Sequence, residues 1–362
     1  MNKVNLFIPI EIKKRDFASR SLVGFAASLK GFNVYIGRKF EIDKLVFKKN
    51  PGIYLGLVTT KTYAPFYKKL KDYGHFIFVN DEEGLVTFSD NMYLNLKVSE
   101  ESIRLIDKVF LWSESHKKTF EKRFDFKSKY IVSGSPRFDL SKKKFIKVFD
   151  DEINIIKKKY DNYILVCCSF SFANYYLKKV DYVEVLKRQK VIRNPKDLEK
   201  FKKYLHYNKE ALKHFLDAII ILAKKFPNFS IIVRPHPSEN KDIYINLSKK
   251  IKNVHVEEDF SIHSWIINSK CIIHNYCTSS SEALSLNIPR FALRKNFDIN
   301  VHKTIPYEIS SISENIDTLI NKINNLIVKN NYEIKTEDAK KNFKKYLYNI
   351  DEEIYANKII VD

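Results

Sequence analysis

Glycine is scarce in this chain of 362 residues: there are eight, and none follows Gly134. The patterns Gly-x-Gly-x-x-Gly and Gly-x-x-x-x-Gly-Lys-Ser/Thr do not occur. The glycine-rich loops of dinucleotide-binding Rossmann domains and of P-loop nucleotidases are therefore excluded. A phosphate site in the second half of the chain has to use helix N-termini and hydroxyl side chains instead.

Cysteine and long apolar runs are scarce as well. The four cysteines are spaced for neither a disulfide framework nor a Cys-x-x-Cys zinc site, which indicates a reducing compartment and no resident metal. The longest apolar run, residues 218–223, is far too short to span a membrane. No signal-peptide pattern is found, so we expect a cytoplasmic protein, with peripheral contact with the inner membrane allowed.

Basic residues exceed acidic ones by 64 to 43, a formal net charge of +21. Such an excess favours a polyanionic partner: nucleic acid, an anionic membrane surface, or phosphorylated and carboxylated sugars. The abundance of Lys, Asn and Ile offers a second source for this charge, the base composition of an AT-rich genome. An apolar content of 44% excludes disorder for most of the chain.

Short β-rich runs alternate with amphipathic helical patterns twice along the chain, on either side of a charged helical connection at 141–160. This alternation predicts an α/β protein with two Rossmann-like domains built on parallel sheets. Such a pair has a GT-B-like outline, with ligands expected in an interdomain cleft, beyond the carboxyl ends of the strands. We assign residues 1–145 to the N-terminal domain, 146–310 to the C-terminal domain and 311–362 to a helical tail.

Charged residues follow three predicted strands of the first domain. Glu11 and Arg15 come after the first strand. Residues 80–84 (NDEEG) follow the fourth; adjacent carboxylates raise the pKa of at least one of them where they are buried, which suits acid–base or nucleophilic chemistry. A solvated turn is the alternative. Arg137 and Asp139 follow the sixth strand and either face the cleft or form an ion pair at the hinge.

The strongest motif of the second domain is RPHPSE at 234–239, directly after a β-branched strand. The two prolines restrict the backbone around His236, and a fixed histidine beside an arginine suits a phosphate or a base edge. We therefore predict contacts with a phosphate or a base edge at Arg234, His236, Pro237 and Ser238.

Hydroxyl residues open a helix after a later strand, at 278–281. Their side chains can cap the first helical N–H groups, and the helix dipole attracts an anion. Capping alone, which needs one hydroxyl, is the alternative interpretation. Glu282, in the first turn, is suited to accept two ribose hydroxyls. The second part of the predicted donor site is therefore Asn275, Thr278, Ser279, Ser280 and Glu282.

At these motifs the chain resembles the bacterial surface-carbohydrate biosynthesis proteins, and through them the retaining β-Kdo glycosyltransferases that use CMP-Kdo. Ser113 and Ser135 depart from the family pattern, where glycines are expected, which affects local loop geometry. The matching segments keep their order from about residue 7 to 293: IPIEIKKRDFASR, GFNVYIGRK, VNDEEGLV, VFLWSE, SGSPRFDL, SFSFAN, RPHPSEN and HNYCTSSSEAL.

The resemblance implies a GT-B glycosyltransferase that moves Kdo, with retention, from CMP-Kdo to a surface-polysaccharide acceptor of the lipopolysaccharide or capsule type. His236-Pro237 would be its His-Pro motif, residues 278–280 would hold the phosphate, and Glu282 the ribose. Retention in the Kdo enzymes uses a carboxylate nucleophile and a second acidic group. The candidates for catalysis are Glu83, Asp139 and Arg137. The candidates for binding the sugar carboxylate or the acceptor are Glu11 and Arg15.

Three other functions fit parts of the sequence. A transferase using a CDP-activated polyol phosphate shares the fold outline and the histidine-plus-hydroxyl site. A nucleotide-sugar epimerase also fits, although less well. A nucleic-acid-binding protein would explain the charge, but the basic residues are dispersed and no nucleic-acid motif is present. We therefore expect a CMP-sugar donor, a glycan or lipid-linked glycan acceptor, an anionic membrane surface, no nucleic acid, and no cofactor or metal.

Overall fold

The computed structural model describes residues 3–82, 84, 90–176, 182–188, 192–295, 304–334 and 336–362. The chain forms two compact units, each with its own sheet and core. Unit 1 comprises Met1–Val148 and Glu337–Asp362, and unit 2 comprises Phe149–Thr336. Among the described helices, none has the length and apolar content needed to cross a membrane.

Unit 1 is built on a six-stranded parallel sheet with the order β2-β1-β3-β4-β5-β6. Strand β1 is buried along its whole length, as its apolar sequence requires in a sheet covered on both faces. The strands are β1 (Asn5–Ile10), β2 (Asn33–Arg38), β3 (Gly52–Gly56), β4 (Phe76–Asn80), β5 (Lys108–Leu111) and β6 (Tyr130–Val132).

Helices connect these strands and cover both faces of the sheet. The first of them ends at Leu29 and is followed by Gly31, whose φ of +90° is a left-handed conformation that favours glycine. Ser113 caps another, with its Oγ accepting from the backbone N–H of His116 at 3.1 Å, which gives this serine a structural role. The helices are α1 (Lys13–Leu29), α2 (Lys39–Leu45), α3 (Ala64–Asp72), α4 (Asp90–Lys97), α5 (Glu100–Leu105), α6 (Glu114–Glu121) and α7 (Pro136–Asp139).

Unit 2 repeats the architecture with a six-stranded parallel sheet in the order β12-β11-β10-β7-β8-β9. Its strands are β7 (Tyr163–Cys167), β8 (Ser230–Arg234), β9 (Val254–Val256), β10 (Ile272–His274), β11 (Arg290–Leu293) and β12 (Ser311–Ser313). Its helices are α8 (Asp150–Lys159), α9 (Tyr182–Arg188), α10 (Pro195–Lys225), α11 (Asp242–Ser248), α12 (Ile262–Ile267), α13 (Ser279–Ser285), α14 (Ile305–Glu308) and α15 (Ile316–Lys329).

The expected tail 311–362 is shared between the two units. Its first residues form the edge strand β12, which consists of Ser-Ile-Ser and therefore gives no apolar signal in the sequence. The rest is helical, with α16 (Thr336–Phe343) and α17 (Ala356–Val361) following α15. From Glu337 onward the chain belongs to unit 1, where Ile360 joins the core between the sheet and α1.

Asn349 attaches this returning segment to the loop after β6. Its side-chain amide donates to the carbonyl of Ser135 at 2.9 Å and to Asp139 Oδ1 at 2.7 Å, and its Oδ1 accepts from the N–H of Ser135 at 2.9 Å. Gly134 has a φ of +79°, and a Cβ there would lie 2.1 Å from Asn349 Oδ1. The close approach of loop and tail thus requires glycine at 134.

Replacing Asn349 with alanine should lower the free energy of unfolding by about 3 kcal/mol, because three buried hydrogen bonds are lost and the N–H of Ser135 is left without its acceptor. Urea unfolding followed by circular dichroism measures this loss. Asn324→Ala, at an exposed position of α15, is the matched control and should change stability by less than about 0.5 kcal/mol. Equal stability of the two variants would show that the tail is not held through Asn349.

Candidate functional site

A pocket lies in unit 1 at the carboxyl ends of β1, β3 and β4, with a cavity volume of about 180 Å³. Parallel α/β sheets bind ligands at this edge, because the loops that follow neighbouring strands diverge there. Its lining carries both signs of charge. The lining residues are Glu11, Arg15, Leu57, Val58, Thr59, Asp81, Glu82 and Lys97.

Glu82, two residues after the end of β4, is the buried acid of this pocket, with 2% of its side chain exposed. Its Oε1 lies 3.6 Å from Nε of Arg20, and its Oε2 has no hydrogen-bond partner in the described part of the chain. Burial raises the pKa of Glu82 to about 7, against the opposing charge of Arg20 and with a smaller contribution from Asp16. A carboxyl group that titrates near neutral pH in a pocket is suited to general acid–base chemistry.

Arg20 positions Glu82 from the inward side of α1. Its guanidinium donates to the carbonyls of Leu55 at 2.9 Å and Gly56 at 3.1 Å, at the end of β3. It also reaches the carbonyl of Asn80, at the end of β4, at 3.4 Å. Arg20 therefore joins the two strand ends that form the pocket and places a fixed positive charge beside the buried carboxyl.

Glu11 and Arg15 lie in the pocket lining, at the strand edge where the sequence places them. They form an ion pair, with Arg15 Nη2 at 3.5 Å from Glu11 Oε2. Arg15 also donates to Asp16, whose Oδ2 accepts from the N–H of Ile12 at 2.9 Å. These contacts hold the first turn of α1 against the end of β1.

The loop after β4 is held by two aromatic donors. Tyr93 donates to Oδ2 of Asp81, and Nε1 of Trp112 donates to its carbonyl, both at 2.5 Å. A Cβ at Gly84 would lie 3.0 Å from the Trp112 ring, so the loop packs closely on the indole. Glu83, one of the two predicted catalytic carboxylates, lies outside the described residues.

Asp139, the other predicted catalytic carboxylate, is fully buried and holds the C-terminal tail. Its oxygens accept from the N–H groups of Ala356 at 3.1 Å and Asn357 at 2.8 Å, in addition to Asn349. Its ion-pair partner is Lys142, at 3.4 Å, rather than the neighbouring arginine. This geometry favours a structural role, because hydrogen bonds from the tail occupy both carboxylate oxygens.

Arg137 is half-buried beside the pocket rather than in its lining. Its positive charge is close enough to Glu82 to contribute to lowering the pKa of that carboxyl. The alternative, a hinge ion pair with Asp139, is not formed, since Asp139 pairs with Lys142, and a role for Arg137 at the sugar stays a prediction.

In unit 2, Arg234 at the end of β8 binds the loop after β9. Its guanidinium donates to the carbonyls of Asp259 at 2.8 Å and Phe260 at 3.2 Å, and it lies 5.6 Å from the ring of Trp265. Phe260 has a left-handed φ of +65°, so the arginine stabilises a strained turn after β9. These bonds give Arg234 a structural role in the loop, and its predicted contact with a donor stays a prediction.

His236 is exposed, and its ring is held by a small hydrogen-bonded cluster. Nδ1 accepts from the N–H of Ser238 at 3.2 Å, which places the proton of the neutral ring on Nε2. The hydroxyls of Ser238 and Ser171 lie 2.7 and 3.1 Å from the same Nδ1. Pro237, the next residue, is also exposed, and its contact with a donor stays a prediction.

Sequence reasoning missed two residues that support this cluster. Ser171, in the loop after β7, belongs to the matching segment SFSFAN but is not among the predicted site residues. Glu239 is buried and accepts from the N–H of Phe170 at 2.6 Å and from the hydroxyl of Tyr244 at 2.6 Å. Glu239 thereby connects the loop after β7 to the His236 turn. The sequence signal for this role is its place as the last residue of the RPHPSE motif.

The end of β10 is buried more deeply than the sequence suggests. His274 is fully buried, and loss of solvation lowers its pKa to about 3, so its ring is neutral and bonds Ser310 at 2.9 Å. Asn275 donates to the carbonyl of Ser169 at 3.0 Å, and its Oδ1 is buried with no hydrogen-bond partner among the described residues. The side-chain oxygen of Asn275 is thus available as an acceptor for a ligand or a water molecule.

The hydroxyl-rich start of α13 differs from the expected phosphate cradle. Ser279, Ser280 and Glu282 are buried, and Ser280 Oγ donates to the carbonyl of Cys277 at 2.9 Å. Thr278 is half-exposed, and its side chain makes no capping hydrogen bond to any described residue. Of the three predicted hydroxyls, Thr278 is therefore the one best placed to meet a ligand.

No protein-family model and no curated protein sequence matches the chain. Several solved structures do. The UDP-GlcNAc 2-epimerase of Methanocaldococcus jannaschii in complex with UDP-GlcNAc and UDP is 16% identical, with 99% of this chain and 98% of that chain covered and a TM-score of 0.61. The wall teichoic acid polymerase TagF is 12% identical, with 99% and 88% covered and a TM-score of 0.59.

A third structure, the UDP-GlcNAc 2-epimerase of Neisseria meningitidis bound to UDP-GlcNAc, is 15% identical, with 99% and 98% covered and a TM-score of 0.55. The chain has the GT-B fold. This confirms the predicted fold class, two parallel α/β units and a helical tail. Identities this low carry no further than the fold, so the resemblance to Kdo transferases remains a prediction.

The buried state of Glu82 predicts a pH dependence of stability. With its pKa raised from 4.5 to about 7, the folded protein binds more protons than the unfolded chain in that window. The contribution of Glu82 to the free energy of unfolding therefore falls as pH rises through the window, by about 3 kcal/mol in total. Glu82→Gln, which cannot ionise, should therefore become more stable relative to the wild type by most of that amount, about 2–3 kcal/mol, between about pH 5 and about pH 8.

Urea unfolding at the two pH values measures the gain. Glu101→Gln, at an exposed position of unit 1, is the matched control and should follow the wild type at both. A stability difference between Glu82→Gln and the wild type that is independent of pH would mean that Glu82 titrates like an ordinary carboxyl group.

Proposed function

We propose that this protein is a glycosyltransferase that moves a sugar from a CMP-activated donor, with Kdo as the sugar, to a glycan acceptor. The observation that carries the proposal is the pocket of unit 1, in which a buried carboxyl group with a pKa of about 7 stands among charged side chains in a GT-B protein. Transfer to a sugar hydroxyl needs a base of this kind, since the hydroxyl must lose its proton as it attacks.

In this proposal Glu82 is the acid–base residue. Its pKa matches neutral pH, and Arg20 holds it in place. Arg15 and Arg137 supply positive charge for the carboxylate of a sugar acid such as Kdo, and Glu11 lies at the entrance as a partner for acceptor hydroxyls. Retention also needs a nucleophile, and Glu83 keeps that role as a prediction, whereas Asp139 is assigned to the tail.

The donor's nucleotide is assigned to unit 2. His236 presents an exposed ring with its proton on Nε2, which suits a hydrogen bond to a phosphate oxygen. Ser238 and Thr278 are within the same strand-end edge, and Asn275 offers a buried acceptor. The choice of cytidine comes from the resemblance, as does the expectation that neither a metal ion nor a cofactor takes part.

A transferase for a CDP-activated polyol phosphate is the second candidate. The structural likeness to a wall teichoic acid polymerase, one form of which was soaked with CDPG, favours it over the remaining alternatives. Calorimetry with CMP, CDP and UDP separates the candidates. Tightest binding of CMP supports a Kdo-type donor, and tightest binding of CDP supports a polyol phosphate donor. Tightest binding of UDP supports a donor like that of the epimerases.

Replacing His236 with alanine should weaken CMP binding by about 1–3 kcal/mol, the cost of losing a hydrogen bond to a charged group. Isothermal titration calorimetry measures the change, roughly 5-fold to 150-fold in Kd. His206→Ala, at an exposed position on α10, is the control and should bind CMP like the wild type. Unchanged CMP affinity in a folded His236→Ala protein would remove His236 from the donor site.

Glu82→Gln should lower the rate of sugar transfer at least about 100-fold while CMP affinity stays the same, because the amide cannot take up a proton. In the wild type, the rate should rise with pH through about 7, as the carboxylate form that acts as base accumulates. Initial rates with CMP-Kdo and a glycan acceptor test both points. Transfer by the variant at near wild-type rate would show that another group is the base.

A further inference from the structure

The outward side of α1 carries exposed apolar side chains where a solvated helix normally carries charge. Phe17, Phe25 and Leu29 are 48%, 62% and 74% exposed. They are spaced by multiples of four residues, which places them along one side of the helix. We refer to Phe17, Phe25 and Leu29 as the α1 face.

The opposite side of α1 already fills the core of unit 1. Val23 and Ala27 pack with Leu6 and Ile8 of β1. The core of unit 1 therefore does not use the α1 face. From residue 21 to 29 the helix contains no charged residue, in a chain of which 30% is charged. An uncharged helix segment that exposes Phe25 and Leu29 on its outer side favours an apolar partner there.

The charges around the α1 face are mainly positive. Lys13 and Lys14 are exposed at the start of the helix, and Arg38 is exposed at the end of the edge strand β2. The acids at the two ends of the helix are engaged, Glu11 with Arg15 and Asp362 with Lys30. An apolar stripe with a basic border matches a surface that is apolar inside and anionic at its rim.

A second copy of the chain is a poorer match. The outer side of the 17-residue helix α1 is about 25 Å long and about 10 Å wide, so its surface area is roughly 250 Å². A stable dimer buries about 800 Å² of surface on each partner. Two copies would also bring like charges together, since each chain carries a net charge of +21.

We propose that the α1 face rests on an anionic lipid bilayer, with Phe25 and Leu29 in the interface and the lysines of the first turn at the headgroups. Arg15, in that same turn, lines the pocket of unit 1, so the pocket lies within one helix length of the lipid. An acceptor carried on a lipid would thereby reach the pocket. The lipid-linked nature of the acceptor rests on the proposed function, whereas membrane binding through α1 does not.

The test is binding to vesicles of phosphatidylcholine with and without phosphatidylglycerol, measured by flotation of the full chain. The wild type should bind the anionic vesicles, and added salt should weaken the binding because it screens the charges. The double variant Phe25→Ser, Leu29→Ser should bind at least about tenfold more weakly, since two apolar side chains no longer enter the interface. Val328→Ser, which removes a side chain 70% exposed in unit 2, is the matched control and should bind like the wild type.

Three results would overturn the proposal: no binding of the wild type to anionic vesicles, equal binding of the double variant and the control, or a dimer in sedimentation analysis that the double variant dissociates. Thermal unfolding of both variants shows whether they are folded, and Phe25→Ser alone serves if the double variant is not. CMP binding, measured without vesicles, reports on the proposed function separately.

Discussion

The buried pair of Arg20 and Glu82 is the interaction on which unit 1 depends. Burying an ion pair is costly, and the hydrogen bonds from the guanidinium to the carbonyls at the ends of β3 and β4 offset part of that cost. The arginine therefore fixes the geometry of two strand ends and the electrostatics of the pocket with one side chain. Glu82 Oε2 and Arg20 Nε have no hydrogen-bond partner among the described residues. Burial raises the pKa of the Glu82 carboxyl group, and the raised pKa makes this group suitable as a base.

Other polar residues after strands use their hydrogen bonds to hold chain rather than ligand. Asp139 and Asn349 tie the C-terminal segment to unit 1, and Arg234 holds the turn after β9. His236 is different, because it is exposed and its ring is oriented by a backbone N–H. Burial and the number of protein partners thus distinguish residues that build the edge from residues that can meet a substrate.

The sequence was sufficient to predict two parallel α/β units, because buried strands and amphipathic helices leave separate periodic patterns. It was insufficient for β12, whose three residues alternate serine and isoleucine, and for the return of the tail to unit 1, which depends on contacts between distant residues. Within the carboxylate run after β4, position alone could not show which side chain turns inward. The side chain of Glu82 turns inward because it pairs with Arg20, which lies on the buried side of α1 more than sixty residues earlier in the chain.

The most direct test of this account is the titration of Glu82 itself, followed through the carboxyl carbon signal by nuclear magnetic resonance and assigned by comparison with Glu82→Gln. The account predicts a midpoint near 7, and a lower one when Glu82 is released from burial by unfolding. A midpoint near 4.5 in the folded protein would contradict it, since the pocket would then hold an ordinary carboxylate.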